Sequence, residues 1–488
     1  MRSRRFLPIL FVALAALLAG ACDKASEAPD VPRGAALWAL NVAMACTTSV
    51  VDPAGGQVSY QFDWDDGTPS EWSPDMASGV SFAGTHTYAK LGSFNITVRA
   101  KYGGKTSAWS DPLKIKVADE GAVGWSFAFL DADEDSADFS LNSFAIGPDN
   151  TAYVGCSNGA VIARRQSNSF LKFIQPDPSE FYAAPVLADD GTIFIGCSND
   201  TIYILNSDLT VKSRVDVGGE VNATGALGAD GTAYFQTADS IVALRSDGTT
   251  LWTFPSGGGS AAPVVGTDGT VYVVNQDGMV YALNPGDSTP KWSYNLIYGA
   301  VQAPAIDPSR NRLYAVNDVG SLQTIDLTTG LGSWSYSAGE DASGPVVGPD
   351  GSVFIGGGGK LTKLNPDFDT VWTFSPPFTF GGMVSTPAVT DAGYVYVLVV
   401  PAQKGLDLQE DVDTLYAVNP DGTRRWACGL GEAVTEAAFQ LSAPKVGATG
   451  LIYVGDGTQC WCVVGVSAPA QSAWPMFQHD ARNTGRAQ

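Results

Sequence analysis

Residues able to do chemistry are few in this chain of 488 residues, and they do not converge. Histidine occurs only as His86 and His479, so no repeated imidazole base is on offer. Cys460-x-Cys462 sets two thiols on one face of a strand, but the other ligands of a zinc site are missing. In an oxidising compartment Cys428 could bridge to Cys460 or Cys462, although buried thiols are the plainer expectation. Cys156 and Cys197 take equivalent places in adjacent repeats, too far apart to bridge. The carboxylates of Asp63, Asp65 and Asp66 could face a cation. Alternate strand positions point opposite ways, however, and acidic turns are ordinarily only turns. Asp131, Asp133 and Asp135 alternate as in a calcium loop but lack its glycine and terminal glutamate. No P-loop or Gly-x-Ser-x-Gly occurs, and the glycine run from Gly356 to Gly359 sits at a hairpin rather than before a helix. The sequence therefore predicts no catalytic residue, no metal and no cofactor.

One acidic segment is a better candidate for binding than for catalysis. Pro401 to Asp413 interrupts a regular repeat and carries Asp407, Glu410, Asp411 and Asp413. Such an insertion should project from its scaffold, where partner-binding surfaces are often placed. A second interruption runs from Gly429 to Leu441.

The regular pattern that these segments break recurs eight times between Phe144 and Val464. Each copy has a small residue and Pro-Val, an Asp-Gly type turn, an aromatic strand and a further apolar strand. Its aromatic markers are Tyr153, Phe194, Tyr234, Tyr272, Tyr314, Phe354, Tyr396 and Tyr453, spaced by 41, 40, 38, 42, 40, 42 and 57 residues. Four short strands every 40 residues or so specify a β-propeller blade. Small residues and proline suit an inner edge strand crowded near the axis, as in Ala262-Pro263 and Ala303-Pro304. Trp252, Trp292, Trp334, Trp372 and Trp426 mark the outer strands, where a large ring can pack between neighbouring blades. Trp125 to Phe129 reads as an orphan outer strand that would complete the eighth blade and leave no open edge. Residues 472–486 read as a latch across that closure.

The Ala-Leu-Asn segments followed by Asp-Gly-x-x-x-Trp resemble the PQQ-like, or quinoprotein-dehydrogenase-like, repeat family over roughly residues 124–488. Residues 33–118 have another texture. Phe62-Asp63-Trp64-Asp65-Asp66-Gly67, His86-Thr87-Tyr88 and Gly92-Ser93-Phe94 resemble a PKD domain, an immunoglobulin-like sandwich that serves as an extracellular spacer or adhesion module. The expected fold is thus all-β, with a PKD/Ig-like sandwich over 33–118 and an eight-bladed propeller over 119–488.

The first 21 residues combine Arg2, Arg4 and Arg5 with an apolar stretch and small residues before Cys22. This resembles a bacterial lipoprotein signal, which implies lipidation at Cys22 and a tether over 22–32. Losing three arginines and no acid would take the net charge from −22 to about −25. That balance argues against nucleic acid as a partner. The expectation is an exported protein held to the bacterial envelope by lipid alone, as a monomeric ring, with an envelope protein or glycan as partner. The resemblance implies a non-catalytic interaction scaffold of the BamB-like kind, in outer-membrane protein assembly. A surface adhesin is the alternative; a PQQ-dependent dehydrogenase would need a calcium-binding carboxylate set and a quinone cage that the sequence does not offer.

Overall fold

Alternating strands and tight turns leave almost no room for helix, and the chain folds accordingly. The computed structural model describes residues 28–67, 69–128, 144–165, 170–174, 179–300, 302–377, 382–401, 412–430, 442–455, 459–471, 475–480 and 482–487. Among these, the single helical element is a short 3-10 turn at Pro308–Arg310. None of their helices is long and apolar enough to cross a membrane. The described residues form two compact units, one of 28–36 with those of 41–117, the other of 37–40 with those from 118 onward.

In the smaller unit, Gln57–Asp63 pairs antiparallel with Gly92–Tyr102, which pairs in turn with Leu113–Ala118. Ala43–Thr48 and Phe82–Thr87 form a separate two-stranded sheet. Alternation sends Tyr60, Phe62, Ile96 and Val98 into the core between the sheets. The Tyr88 hydroxyl donates to the Trp64 carbonyl at 2.7 Å and pins the turn region to the facing strand.

The solvent face of this unit carries a device with an internal symmetry. Ser70-Glu71-Trp72-Ser73 and Ser107-Ala108-Trp109-Ser110 are two copies of one tetrapeptide pattern. In each, both serine hydroxyls accept from the neighbouring strand: Ser70 and Ser73 from the Phe62 and Tyr60 amides, Ser107 and Ser110 from the Ala100 and Val98 amides. The two tryptophans thereby flank Arg99, whose guanidinium lies 5.6 Å from the Trp72 ring and 4.5 Å from the Trp109 ring. Gln61, directly opposite on the next strand, accepts from Arg99 Nε and Nη2 at 2.9 and 2.7 Å. Replacing Arg99 with Ala removes two cation–π contacts and two hydrogen bonds. A loss of about 2 kcal/mol from this unit is expected, read as a lower urea midpoint.

The larger unit is a succession of antiparallel sheets, eight among the described residues, seven of four strands and one of five. They cover 144–174, 186–216, 226–254, 264–295, 305–337, 346–374, 382–429 and 445–463, and are counted first to eighth in that order. The fourth is representative, with strands Val264–Val265, Val271–Val274, Met279–Leu283 and Pro290–Asn295. Burial falls from the first strand, wholly buried, to the fourth, where exposed and half-buried residues alternate. The seventh sheet has an extra strand, Gly382–Val384, beside Val395–Pro401. Shared hydrophobic clusters join neighbours: Val264, Tyr314 and Ile355 of the fourth, fifth and sixth sheets belong to one buried group.

The outer tryptophans also join neighbours. Trp252, Trp292 and Trp372 each donate from Nε1 to a backbone carbonyl in the next sheet, those of Pro285, Leu327 and Pro420. Gly330 and Gly422 lie against such rings, and a Cβ there would sit 2.7 Å from the Trp292 and Trp372 ring atoms.

The eighth sheet takes its outer strand from the far end of the sequence. Val123–Ala128 pairs with Gln459–Val463, placing Phe127 opposite Cys460 and Trp125 opposite Cys462. The orphan-strand expectation for Trp125 thus holds, and the ring passes on to the first sheet through Tyr453, whose hydroxyl bonds Asn150 Oδ1 at 3.1 Å. A carboxylate clasp fastens the borrowed strand to the seventh sheet. Glu120 accepts from Arg425 at 2.6 Å through both oxygens and from Trp426 Nε1 at 3.0 Å. Arg425 also lies 4.4 Å above the Tyr394 ring. Glu120→Gln keeps the shape but removes the charge and one acceptor. A cost of about 1 kcal/mol is expected, with roughly twice that for Glu120→Ala, measured by thermal unfolding.

Candidate functional site

The ends of the short inner strands, where each sheet turns toward its second strand, are gathered at one mouth of the ring by the C-terminal segment. Leu187, Leu227 and Val265 donate their N–H groups to the carbonyls of Arg482, Thr484 and Gly485 at 3.1, 2.7 and 2.7 Å. Val389 of the seventh sheet donates likewise to Pro475 at 2.8 Å. In the reverse direction Ala487 and Ala470 donate to the Val265 and Val389 carbonyls. The Asn483 side chain spans the first and second sheets, donating to the Phe144 and Pro185 carbonyls at 3.2 and 3.0 Å. The latch therefore reaches well beyond the closure at which the sequence placed it.

At its centre stands Lys445, fully buried on the inner strand of the eighth sheet. Other repeats have Val264, Ala305, Val346 or Ala388 at this register. Its ammonium donates to the Phe477 carbonyl at 2.6 Å, to the Asp480 carbonyl at 3.4 Å and to Asn483 Oδ1. Burial pulls the Lys445 ammonium down to about 7, against the opposing pull of the Asp480 carboxylate. His479, also buried, is lowered by burial too.

Beside this segment lies a cavity of about 670 Å³, within the size range of ligand pockets. Ile146, Asp307, Val347 and Val446 contribute to its wall from the first, fifth, sixth and eighth sheets, and Met476 and Arg482 from the C-terminal segment. Its charges are already matched within the protein. Asp307 Oδ2 accepts from Arg310 Nη1 at 3.0 Å, and Arg482 pairs with Asp189. The Arg482 hydrogen bond and charge hold the Asp189 carboxyl below its ordinary range. A site with paired charges, proline rings and backbone edges offers shape and apolar contact rather than an activated acid, base or nucleophile.

The residues singled out from sequence are not brought together here. Of the insertion, Asp407, Glu410 and Asp411 lie outside the described residues. Asp413, expected to project with them, is instead buried at 6% exposure, immediately before strand Thr414–Val418. Its carbonyl accepts from the Leu430 amide at 2.9 Å, so it belongs to the sheet and not to a surface loop. Cys22, the expected lipidation site, and Asp131, Asp133 and Asp135 also lie outside the described residues.

The acidic turn of the smaller unit has a use for every carboxylate. Asp63 accepts from the Asp65 amide, Asp65 from Asn95, and Asp66 pairs with His86 at 2.8 Å. His86 in turn stacks on Trp64 at 4.9 Å. Cys46, Cys156, Cys428 and Cys462 are free thiols, and burial raises those of Cys46 and Cys156 to about 12. Thiols so rarely ionised are poor nucleophiles and metal ligands. Among the described residues no group of three or more His, Cys, Asp or Glu is placed to hold a metal.

The cavity and Lys445 were not legible as a site beforehand. The signals were a lysine at a register otherwise held by small apolar residues and prolines confined to certain turns.

The architecture defines a β-propeller protein preceded by a small β-sandwich. Residues 33–109 match the PKD domain, and residues 237–368 match the family described as outer membrane protein assembly factor BamB. The propeller thus contains a stretch similar to the BamB family, and the unit before it a stretch similar to the PKD domain. Among solved structures it is similar to BamB from Moraxella catarrhalis, with 17% identity and a TM-score of 0.54, covering 70% of this chain and 99% of that one. The C-terminal WD40 domain of Sif2 is similar at 12% identity and a TM-score of 0.54, over 71% of this chain and all of that one. A computationally designed protein, Ika8, is similar at 14% identity and a TM-score of 0.52, over 68% of this chain and 98% of that one. Likeness at these identities is likeness of fold. No curated protein matches the chain.

Proposed function

We propose that this chain is a non-catalytic, lipid-anchored envelope protein whose propeller is a protein-interaction scaffold, serving outer-membrane protein assembly in the manner of BamB. The match of residues 237–368 to the BamB family carries this reading. The cavity supports it, since its charged groups are paired internally and leave backbone edges and apolar rings to meet a partner. Lipidation at Cys22 would hold the ring to the membrane, and the residues Asp407, Glu410 and Asp411 would extend the contact surface.

Photo-reactive residues placed at Ala229, Ala392 and Ala448, all exposed, test this in living cells. The expected result is a crosslink to a protein of the barrel-assembly machinery from at least one position. Crosslinks to no protein, or a rise in melting temperature on adding PQQ and calcium, would overturn the reading.

The PKD match over 33–109 favours a second reading, a surface-displayed binder of protein or glycan with the sandwich as its stalk. Protease treatment of intact cells separates the two. Digestion of the propeller before permeabilisation favours surface display, and protection until permeabilisation favours the assembly scaffold.

A further inference from the structure

Neighbouring sheets of the larger unit are sealed at several junctions by a pair of rings, and the junction of the fourth and fifth sheets departs from that pattern. In the usual pair, a phenylalanine on the outer strand of one sheet packs on a tyrosine on the penultimate strand of the next. Phe173 meets Tyr203 in this way, Phe254 meets Tyr281 and Phe374 meets Tyr416, with ring centres 5.6, 5.2 and 5.4 Å apart. Between the fourth and fifth sheets the outer-strand ring is present as Tyr294, but it faces Gln323. That glutamine stands immediately before the bulge of its ladder, the register that Tyr203, Tyr281 and Tyr416 hold in theirs. The Tyr294 hydroxyl donates to Gln323 Oε1 at 3.1 Å, a hydrogen bond in place of a ring contact.

A second departure widens the gap. On the outer strand just past the bulge, other sheets carry Val211, Thr250, Pro290, Thr370 or Arg424, whereas the fifth has Gly332. A Cβ there would sit 2.2 Å from the Tyr294 hydroxyl, so the absent side chain is what lets that ring lie across the strand. The result is a crevice of about 660 Å³, again within the size range of ligand pockets.

Although the chain has a net charge of −22, no Asp, Glu, Lys, Arg or His lines this crevice. One side of it is apolar and open to water. Ile297 is 77% exposed, Tyr298 53% and Val319 52%, and no other aromatic side chain among the described residues is as exposed as Tyr298. Ile297 has φ 76°, a left-handed conformation that β-branched residues rarely enter, and its amide donates to Asn295 Oδ1 at 2.6 Å. Backbone held in such a conformation is concentrated at binding and catalytic sites. Here it presents two large side chains to solvent.

The other side is polar, with bonding capacity to spare. Gln323 and Asn317 each donate one amide hydrogen to the Leu296 carbonyl, at 3.3 and 3.4 Å, and each amide carries a second. Ser333 and Ser335 add hydroxyls from an exposed strand. A charged ligand would find no counter-charge in this wall. A wholly apolar one would strip water from the amides and hydroxyls without replacing it. A ligand whose own surface is divided between C–H faces and hydroxyls meets both sides.

We propose that the crevice between the fourth and fifth sheets binds a neutral oligosaccharide. One sugar lies with its C–H face against the Tyr298 ring, and its hydroxyls bond the Gln323 and Asn317 amides and the serine hydroxyls. This goes beyond the assembly-scaffold reading and draws on none of the observations behind it.

The test titrates the whole chain in a calorimeter with maltohexaose, cellohexaose, xylohexaose and hexa-N-acetylchitohexaose, all uncharged, and with hexagalacturonate as a charged counterpart. At least one neutral sugar is expected to bind with a Kd of about 100 μM, and hexagalacturonate at least about tenfold more weakly. Gln323→Tyr restores the ring pair of the other junctions and so fills the crevice with a residue type that the fold accepts at this register. It should weaken binding by more than about tenfold without lowering the melting temperature. Tyr298→Ala, at an exposed position, should weaken binding about tenfold, and it decides the matter should the first variant misfold. Val371→Ala, an exposed apolar position of the sixth sheet, should leave binding unchanged.

No binding of any neutral hexasaccharide, binding unaltered in Tyr298→Ala or in folded Gln323→Tyr, or tighter binding of hexagalacturonate would each overturn the proposal. So would a dimer of the native chain in sedimentation that Gln323→Tyr dissolves, since the crevice would then belong to a second copy. Sugar binding in a protein that crosslinks to no cellular partner would support this proposal while the scaffold reading falls.

Discussion

Removing residues 475–488 is expected to abolish cooperative unfolding of the propeller. The truncation deprives Leu187, Leu227, Val265 and Val389 of their acceptors, and the Phe144 and Pro185 carbonyls of Asn483. It also strips Lys445 of the three oxygens that hold its ammonium. At about 1 kcal/mol for each of these bonds, and more for a buried cation left alone, the loss approaches the whole stability of a typical domain. Calorimetry should show the larger transition disappear. Asn483→Ala is the milder version. It leaves two buried carbonyls and the lysine short of a partner, and should cost about 3 kcal/mol with the transition still cooperative.

Lys445 should also give the propeller a pH-dependent stability with an unusual sign. Folded, its ammonium titrates near 7; unfolded, it regains the ordinary value of 10.5. Between these values the unfolded chain holds a proton that the folded chain has released, so stability rises with pH, at up to about 1.4 kcal/mol per unit. Below pH 7 both states are protonated, and the full cost of burying the charge is present. Lys445→Met removes this dependence. Groups away from Lys445 titrate alike in both proteins; His479, which burial lowers while Asp480 opposes and Arg486, Lys445 and Arg482 reinforce, loses the Lys445 influence in the variant but still titrates below the range compared. The informative quantity is therefore the difference between the two proteins. From pH 7 to 9 the native chain should gain about 2 kcal/mol on the variant, measured by urea unfolding at each pH. Parallel curves would mean that the ammonium is not perturbed.

The sheets were legible in the sequence because each carries its own punctuation. Val264-Val265, Asp268-Gly269 and Val271–Val274 state a strand, a turn and a strand within eleven residues, and Trp292 marks the outer edge. Asp268 accepts from the Thr270 amide, and Gly269 takes φ 81°, a conformation that glycine adopts without strain. Trp125 was legible for the same reason, as an outer-strand marker with no sheet of its own.

The candidate cavity was less legible, because its wall depends on the path of the C-terminal segment. Pro148 follows two residues after Ile146, but Ala448 follows Val446 just as Ala229 follows Leu227, so local sequence does not mark the wall of the cavity. Only the path of residues 475–487 does. Asp413 misled for a related reason. Counting it with its acidic neighbours placed it in a loop, whereas the ladder resumes one residue later and draws it into the sheet. In the smaller unit the Arg99 ladder escaped notice because its two tryptophans are 37 positions apart and meet only across paired strands.

The strand Val123–Ala128 has a consequence for time as well as for shape. It is synthesised before any other part of the ring and is used after all of them, since its partner Gln459–Val463 lies more than 300 residues further on. Until that partner emerges, the eighth sheet lacks its outer strand, although Glu120 can already meet Arg425 and Trp426 of the seventh. Contacts of such sequence separation make folding slow, and a waiting strand with an open edge is a place for mispairing. Ring closure therefore waits until residues 459–463 have been made, and the C-terminal stitching follows it. The fold thus cannot lock early: every sheet but the last can form while the first strand of the ring still stands unpaired.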